Sequence, residues 1–205
     1  MGAVSAADVK TLRERTGAGI MDCKAALAEA GGEMEKAIEI LRVKGQASAA
    51  KRSGRATGEG VVASYIHATG KVGVLVEVQC ETDFVARSDE FQEFTREVAI
   101  HIAGAHPSPT YVSTEEIPDD VRDAERAVFE AKAREEGKPA DVVDRIVEGQ
   151  LAKWAKDVAL LEQEHVRSDR HEGKSIEDLR AELASKTGEN VRIARFARFV
   201  VGEVD

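Results

Sequence analysis

Cysteine is scarce in this 205-residue chain, occurring only as Cys23 and Cys80. Two isolated thiols supply neither a disulfide framework nor the paired ligands of a zinc site, so both are expected as small buried hydrophobes. Aromatics make up 4% of the residues, which leaves a core to be built mainly from aliphatic side chains. No apolar run approaches the length of a membrane span, and the N-terminus lacks the basic-then-apolar layout of a signal peptide. Met1-Gly2 opens a myristoylation pattern that fails, because the hydroxyl stands at Ser5 and residue 6 is alanine. A soluble, cytoplasmic protein is expected.

Positive charge is short over most of the chain. Residues 1–60 hold 10 Lys+Arg against 8 Asp+Glu, a balance of +2, whereas residues 61–205 hold 19 against 30, a balance of -11. An acidic body lacks the many cationic phosphate contacts that nonspecific nucleic-acid binding needs. It fits a protein partner with a basic face, and equally plain solubility. Lys51, Arg52 and Arg55 form a basic cluster, but it is short and has no aromatics to stack bases.

What is present is organised in two parts. Ser5 and Asp8 form a capping-box pattern that starts a helix through Arg15, with Val9 and Leu12 inward. Gly17 and Gly19 break it. A second helix runs from Ile20 to Ala30 and ends at Gly31-Gly32, and a third carries Ala37, Ile38 and Leu41 on one face and stops near Gly45. After a linker at 51–60, the segment Val61 to Cys80 reads as a hairpin turning at Ala68-Thr69-Gly70-Lys71, with Val72, Val74, Val76 and Val78 on one face. Ser88 caps a helix whose stripe is Phe91, Phe94, Val98, Ile102 and Ala105. Helices over Pro118–Glu136 and Pro139–Leu161 follow, the second with Val142, Ile146 and Trp154 on its inner side. A short helix begins near Ser175, and a strand from Asn190 to Val201 places Val191, Ile193, Ala197, Phe199 and Val201 on one face with Arg195. The fold class is α+β, with a three-helix domain at 1–50 and a core at 61–205 of antiparallel sheet packed with helices.

Catalytic sets are missing. Gly173-Lys174-Ser175 resembles the end of a phosphate-binding loop, but Ser168 stands where the first glycine belongs. His101 and His106 are five residues apart and point to different faces of a helix. His165, Asp169 and His171 offer at most a weak loop metal site. The residues point to a binding or regulatory protein, with no cofactor and no substrate chemistry of its own.

The corner at Thr82-Asp83-Phe84 carries more information. An acid and a large aromatic sit together where a strand gives way to a helix, and the phenylalanine is either tucked into the core or offered to a partner. Burial is the commoner fate of an aromatic.

The segment from Leu12 to Leu27, LRERTGAGIMDCKAAL, resembles the N-terminal signature of the bacterial translation elongation factor Ts family. Thr82-Asp83-Phe84-Val85-Ala86-Arg87 looks like that family's second signature. Glu136-Gly137-Lys138-Pro139, Leu160-Leu161-Glu162-Gln163, Thr187-Gly188-Glu189-Asn190 and Arg195-Phe196-Ala197-Arg198-Phe199 extend the similarity along the chain in the family's order. The resemblance implies a guanine-nucleotide exchange factor that binds the GTPase elongation factor Tu, promotes release of GDP and Mg²⁺, and lets GTP rebind. It implies that the N-terminal helices resemble a ubiquitin-associated domain, with Arg13, Ile20, Met21 and Lys24 on a docking face. The exchange loop corresponds to Thr82, Asp83, Phe84 and Val85, and His101 matches a weaker contact. No nucleic acid or membrane partner is implied. Lacking an evident repeat after residue 60, the chain resembles the family's short form, for which pairing into a homodimer is the expectation. With no cysteine after Cys80, no disulfide through the C-terminal half would link such a pair. The competing reading is a ubiquitin-associated-type adaptor that binds partners without affecting nucleotides.

Overall fold

The computed structural model describes residues 4–203, so Met1 and Gly2 lie outside the described residues. The chain divides into two compact units. One joins Met1–Tyr65, Leu75–Ala99 and Glu177–Ala197, and the other joins Ile66–Val74, Ile100–Ile176 and Arg198–Asp205.

The first unit opens with α1 (Ala6–Thr16), α2 (Ile20–Glu29) and α3 (Met34–Arg52). The expected capping box is present: Asp8 N–H donates to Ser5 Oγ at 3.1 Å, and Ser5 N–H to Asp8 Oδ2 at 3.4 Å. These bonds satisfy amides that a helix start leaves orphaned. Gly17 ends α1 in the left-handed region at φ 65°, its N–H donating to Arg13 O at 2.7 Å. Leu12, Cys23, Ala26, Leu27 and Ala37 are fully buried and form the centre where the three helices meet.

The third helix runs further than its sequence suggests. Gly45 does not stop it. A single glycine costs a helix only about 1 kcal/mol relative to alanine, and here tertiary contacts hold the helix on both sides of it. Ala49 is buried, and Arg42 and Gln46 both donate to Asp178 Oδ1, at 3.1 and 2.8 Å.

Three strands, β1 (Glu59–Ile66), β2 (Val72–Cys80) and β3 (Arg192–Val200), form an antiparallel sheet in the order β1-β2-β3. The hairpin closes where His67 N–H donates to Val72 O at 2.9 Å. Val74, Val76, Val78 and Cys80 are buried on one side of β2, as period two requires. At Gly60 an added Cβ would collide with the Val78 carbonyl, so glycine is needed for β1 to approach β2. The face assigned to β3 is only partly covered. Val191 and Ile193 are buried, but Phe199 on the same parity is 66% exposed. Periodicity says which residues share a face; it does not say how far the covering layer extends.

Helix α4 (Asp83–Ala86) is a single turn, and α5 (Asp89–Gly104) follows at once, with Phe91 N–H donating to Ser88 Oγ at 3.4 Å. Phe91, Phe94, Val98 and Ile102 are buried along α5 as expected.

In the second unit, α6 (Asp119–Glu135) and α7 (Ala140–Val158) form a helical hairpin around Gly137, and Ala133, Val143 and Val147 are its buried contact with Phe129 beside them. The inner side of α7 is Val143, Val147, Leu151 and Ala155, spaced by four, rather than Val142, Ile146 and Trp154; Val142 is exposed. Adjacent valines make both stripes compatible with a helical period, and packing on α6 selects one. The remaining α-helices are α8 (Ser168–His171) and α9 (Ile176–Thr187), the latter in the first unit from Glu177 onward. Among the described residues no helix is long and apolar enough to cross a membrane.

Candidate partner-binding site

The corner after β2 is built so that one side chain cannot turn inward. Thr82 is the N-cap of α4, and its Oγ1 accepts from Val85 N–H at 3.3 Å while its carbonyl accepts from Ala86 N–H at 3.2 Å. Beneath the turn, Cys80 Sγ donates to the same carbonyl at 3.2 Å. Burial pushes the Cys80 thiol up to about 11, with the Glu189 charge adding to the effect. Val85 and Ala86 are pressed into the interior, and this fixes the rotation of the turn. Phe84 is left 83% exposed. An uncovered phenylalanine forgoes about 1.5–3 kcal/mol of burial, so the question left open by the sequence is decided in favour of presentation. Asp83 stands beside it and pairs with Arg87 at 3.0 Å on the open surface, where such a pair contributes about 1 kcal/mol or less.

The N-terminal residues come together at a second place in the same unit. Ile20 and Met21 begin α2 at 55% and 73% exposure. Gly19, the N-cap, makes no side-chain capping bond there. Ile20, Arg13 and Lys24 line a groove of about 420 Å³ with Val4, Val9 and Lys10. Its floor is apolar and its rim is cationic, a combination suited to an amphipathic acidic element. Arg13 and Lys10 also border a neighbouring hollow of about 450 Å³ that reaches Glu90 at the start of α5 and Lys186 at the end of α9.

His101 sits differently. It belongs to the second unit and is 1% exposed. Its Nδ1 accepts from Val166 N–H at 3.2 Å, so its Nε2 carries the proton and faces Gln163 Oε1 at 2.9 Å. Burial holds its pKa below the ordinary imidazole value, with the Gln163 bond acting in the opposite sense. The Gln163 amide is anchored in turn on the carbonyls of Pro107 and Asp157, at 3.0 and 2.6 Å. Of the loop set His165, Asp169 and His171, the two histidine rings meet edge-on with centroids 4.1 Å apart.

Three residues that hold the corner were missed as functional by sequence reasoning. Glu189 accepts from the backbone of Glu81 and Thr82, and Glu81 accepts from the backbone of Asn190. For Glu189 and Asn190 the only signal was their place in the Thr187–Asn190 segment, more than 100 positions from the corner, while Glu81 directly precedes the turn.

Comparison with known proteins places the chain in a family. The profile of the family described as "Elongation factor TS" matches residues 8–172. The chain is 54% identical over 200 residues to "Elongation factor Ts" of Caldanaerobacter subterraneus subsp. tengcongensis, covering 98% of each chain. The same-named protein of Carboxydothermus hydrogenoformans is 55% identical over 195 residues, 95% of this chain and 88% of that one. That of Geobacter sulfurreducens is 50% identical over 200 residues, 98% of this chain and 90% of the other. With a profile spanning most of its length and such relatives matched nearly end to end, the chain belongs to the elongation factor Ts family of translation factors.

Proposed function

We propose that this chain is the guanine-nucleotide exchange factor of elongation factor Tu, and that it releases GDP and Mg²⁺ with the Thr82–Val85 turn. The observation that carries the reading is Phe84, presented at 83% exposure by a turn whose next two residues are buried. The coupling is reciprocal. A factor that binds the nucleotide-free GTPase more tightly than the GDP form must weaken GDP binding by the same ratio. Each tenfold loss of GDP affinity takes about 1.4 kcal/mol of differential contact, and burying an exposed phenylalanine side chain supplies about 1.5–3 kcal/mol. Asp83 adds negative charge that repels phosphate and competes for the metal's ligand network. GTP then fills the emptied site.

Docking is assigned to the groove between α1 and α2, where Ile20 gives apolar contact and Arg13 and Lys24 attract an acidic surface, with the exposed Met21 next to Ile20 in the chain. His101, buried and bonded at both ring nitrogens, would influence docking only through the Gln163 side chain and the Val166 backbone it braces. A second copy of the chain is proposed to cover the open side of β1 and β2, where Val62 and Leu75 are bare apolar side chains.

The test is release of a fluorescent GDP analogue from elongation factor Tu, with the chain present in substoichiometric amount. Rapid release that Asp83→Ala with Phe84→Ala abolishes supports the reading. Retention of the GTPase without faster release would make the chain an adaptor instead.

A further inference from the structure

The turn that presents Phe84 is one helical turn long, and so short a helix has no orientation of its own. What holds it is a carboxylate 107 residues away. Glu189 Oε2 accepts from Glu81 N–H at 3.0 Å and Thr82 N–H at 3.1 Å, and its Oε1 accepts from the Thr82 hydroxyl at 2.7 Å. These are charge-assisted bonds, stronger and more directional than neutral ones. The hydroxyl hydrogen points at Glu189, so the Thr82 lone pair is turned toward Val85 N–H, the bond that starts α4. Glu189 therefore sets both the backbone of the corner and the polarity of its cap.

The bracing is mutual. Glu81 Oε1 accepts from Asn190 N–H at 2.6 Å and from Arg55 Nη1 at 3.3 Å. The Asn190 amide is nearly fully buried and donates to Ser53 O at 3.2 Å and Arg55 O at 2.9 Å. The base of the presenting turn is thus tied to the chain leaving α9 and to the chain leaving α3. The carboxylates of Glu81 and Glu189 both bond into this corner. Backbone amides, a hydroxyl and a guanidinium compensate them. A wedge works only if it is already aimed when it meets its target, because ordering it on arrival would subtract from the binding free energy available to expel the nucleotide.

We propose that Glu189 is a positioning residue for exchange, acting through Thr82 to fix the direction of Phe84; this rests on the exchange reading above. The docking groove at α1 and α2 does not involve it, so its removal affects the step after docking.

The experiment measures release of a fluorescent GDP analogue from elongation factor Tu over a range of factor concentrations, giving the saturating rate and the half-saturating concentration separately. Wild type, E189A, E189Q, F84A and both Glu189 variants in the F84A background are compared. Losing charged hydrogen bonds predicts that E189A lowers the saturating rate about tenfold, while half-saturation moves less than about twofold. E189Q, whose amide oxygen still accepts from the two backbone N–H groups, keeps about a third of the wild-type rate. In the F84A background neither substitution lowers the rate further, since the side chain they aim is gone. A merely structural role would lower the folded fraction without changing the saturating rate, and would act equally with or without Phe84. Either result overturns the assignment. Should E189A fail to fold, E189Q decides: a loss that vanishes with F84A upholds it, and a wild-type rate or an additive loss overturns it. A wild type that does not accelerate release refutes the exchange reading itself, and this inference with it. A wild type that accelerates, with both Glu189 variants equal to it, refutes only the role of Glu189.

Discussion

Phe84 and Val85 are adjacent in the chain and have opposite environments: the first is 83% exposed and the second 6%. The valine is the anchor that makes the phenylalanine available. Phe84→Ala should leave stability within about 0.5 kcal/mol of wild type yet reduce GDP release from elongation factor Tu at least about tenfold. Val85→Ala should destabilise the fold by about 1–2 kcal/mol, within the range for a buried truncation. Urea unfolding beside the release assay separates the two, and a stability loss on removing Phe84 would contradict its exposure.

Arg13 and Met21 give a different signature. Neither is part of the presenting turn, so Met21→Ala and Arg13→Ala should raise the factor concentration needed for half-maximal release by about three- to tenfold and leave the saturating rate unchanged. Attraction between exposed charges is screened by salt. The Arg13 effect should therefore shrink as ionic strength rises, and the Met21 effect should not. Titrations at low and high salt provide the comparison.

Leu75 lies on the uncovered side of β2. If a second copy covers that side, Leu75→Glu should convert a dimer into a monomer, because a charge would be buried without a partner. Sedimentation velocity at micromolar concentration reads the outcome directly. A wild type that sediments as a monomer would leave no pairing to explain.

His101 should make stability fall in acid. Its folded-state pKa lies below the unfolded value of about 6.5. The stabilisation from keeping it neutral is therefore complete above that value and is lost as pH falls through the folded pKa. Protonation would also place a second donor at Nδ1, against Val166 N–H, with the His165 ring centroid 5.4 Å away. Melting temperatures from pH 7.5 to 5 should drop more for wild type than for His101→Gln. Equal slopes would assign the acid sensitivity to other groups.

The two signature segments were legible as sequence because each is local. Ser5 and Asp8, three residues apart, cap α1, Gly17 ends it, and the valines of β2 alternate within one strand; neighbouring residues determine such features with little help from the rest of the chain. Whether Phe84 would be buried or presented was not legible. Its fate depends on what lies over the turn, and Val85 and Ala86 occupy the interior there. The stop expected at Gly45 failed for the same reason, since Asp178 reaches α3 from far along the chain. On α7, neighbouring valines left two stripes open until α6 chose between them.

The sequence by itself determined most of the longer elements, their order, the family and the residues of the presenting turn, because those rest on short-range periodicity, capping and motif. The tertiary structure alone decided that Phe84 is exposed, that His101 is buried, and that Glu189 reaches Thr82. Burial and a hydrogen bond between residues 107 positions apart depend on chain segments being brought together, and no local pattern records which side chains will then be neighbours.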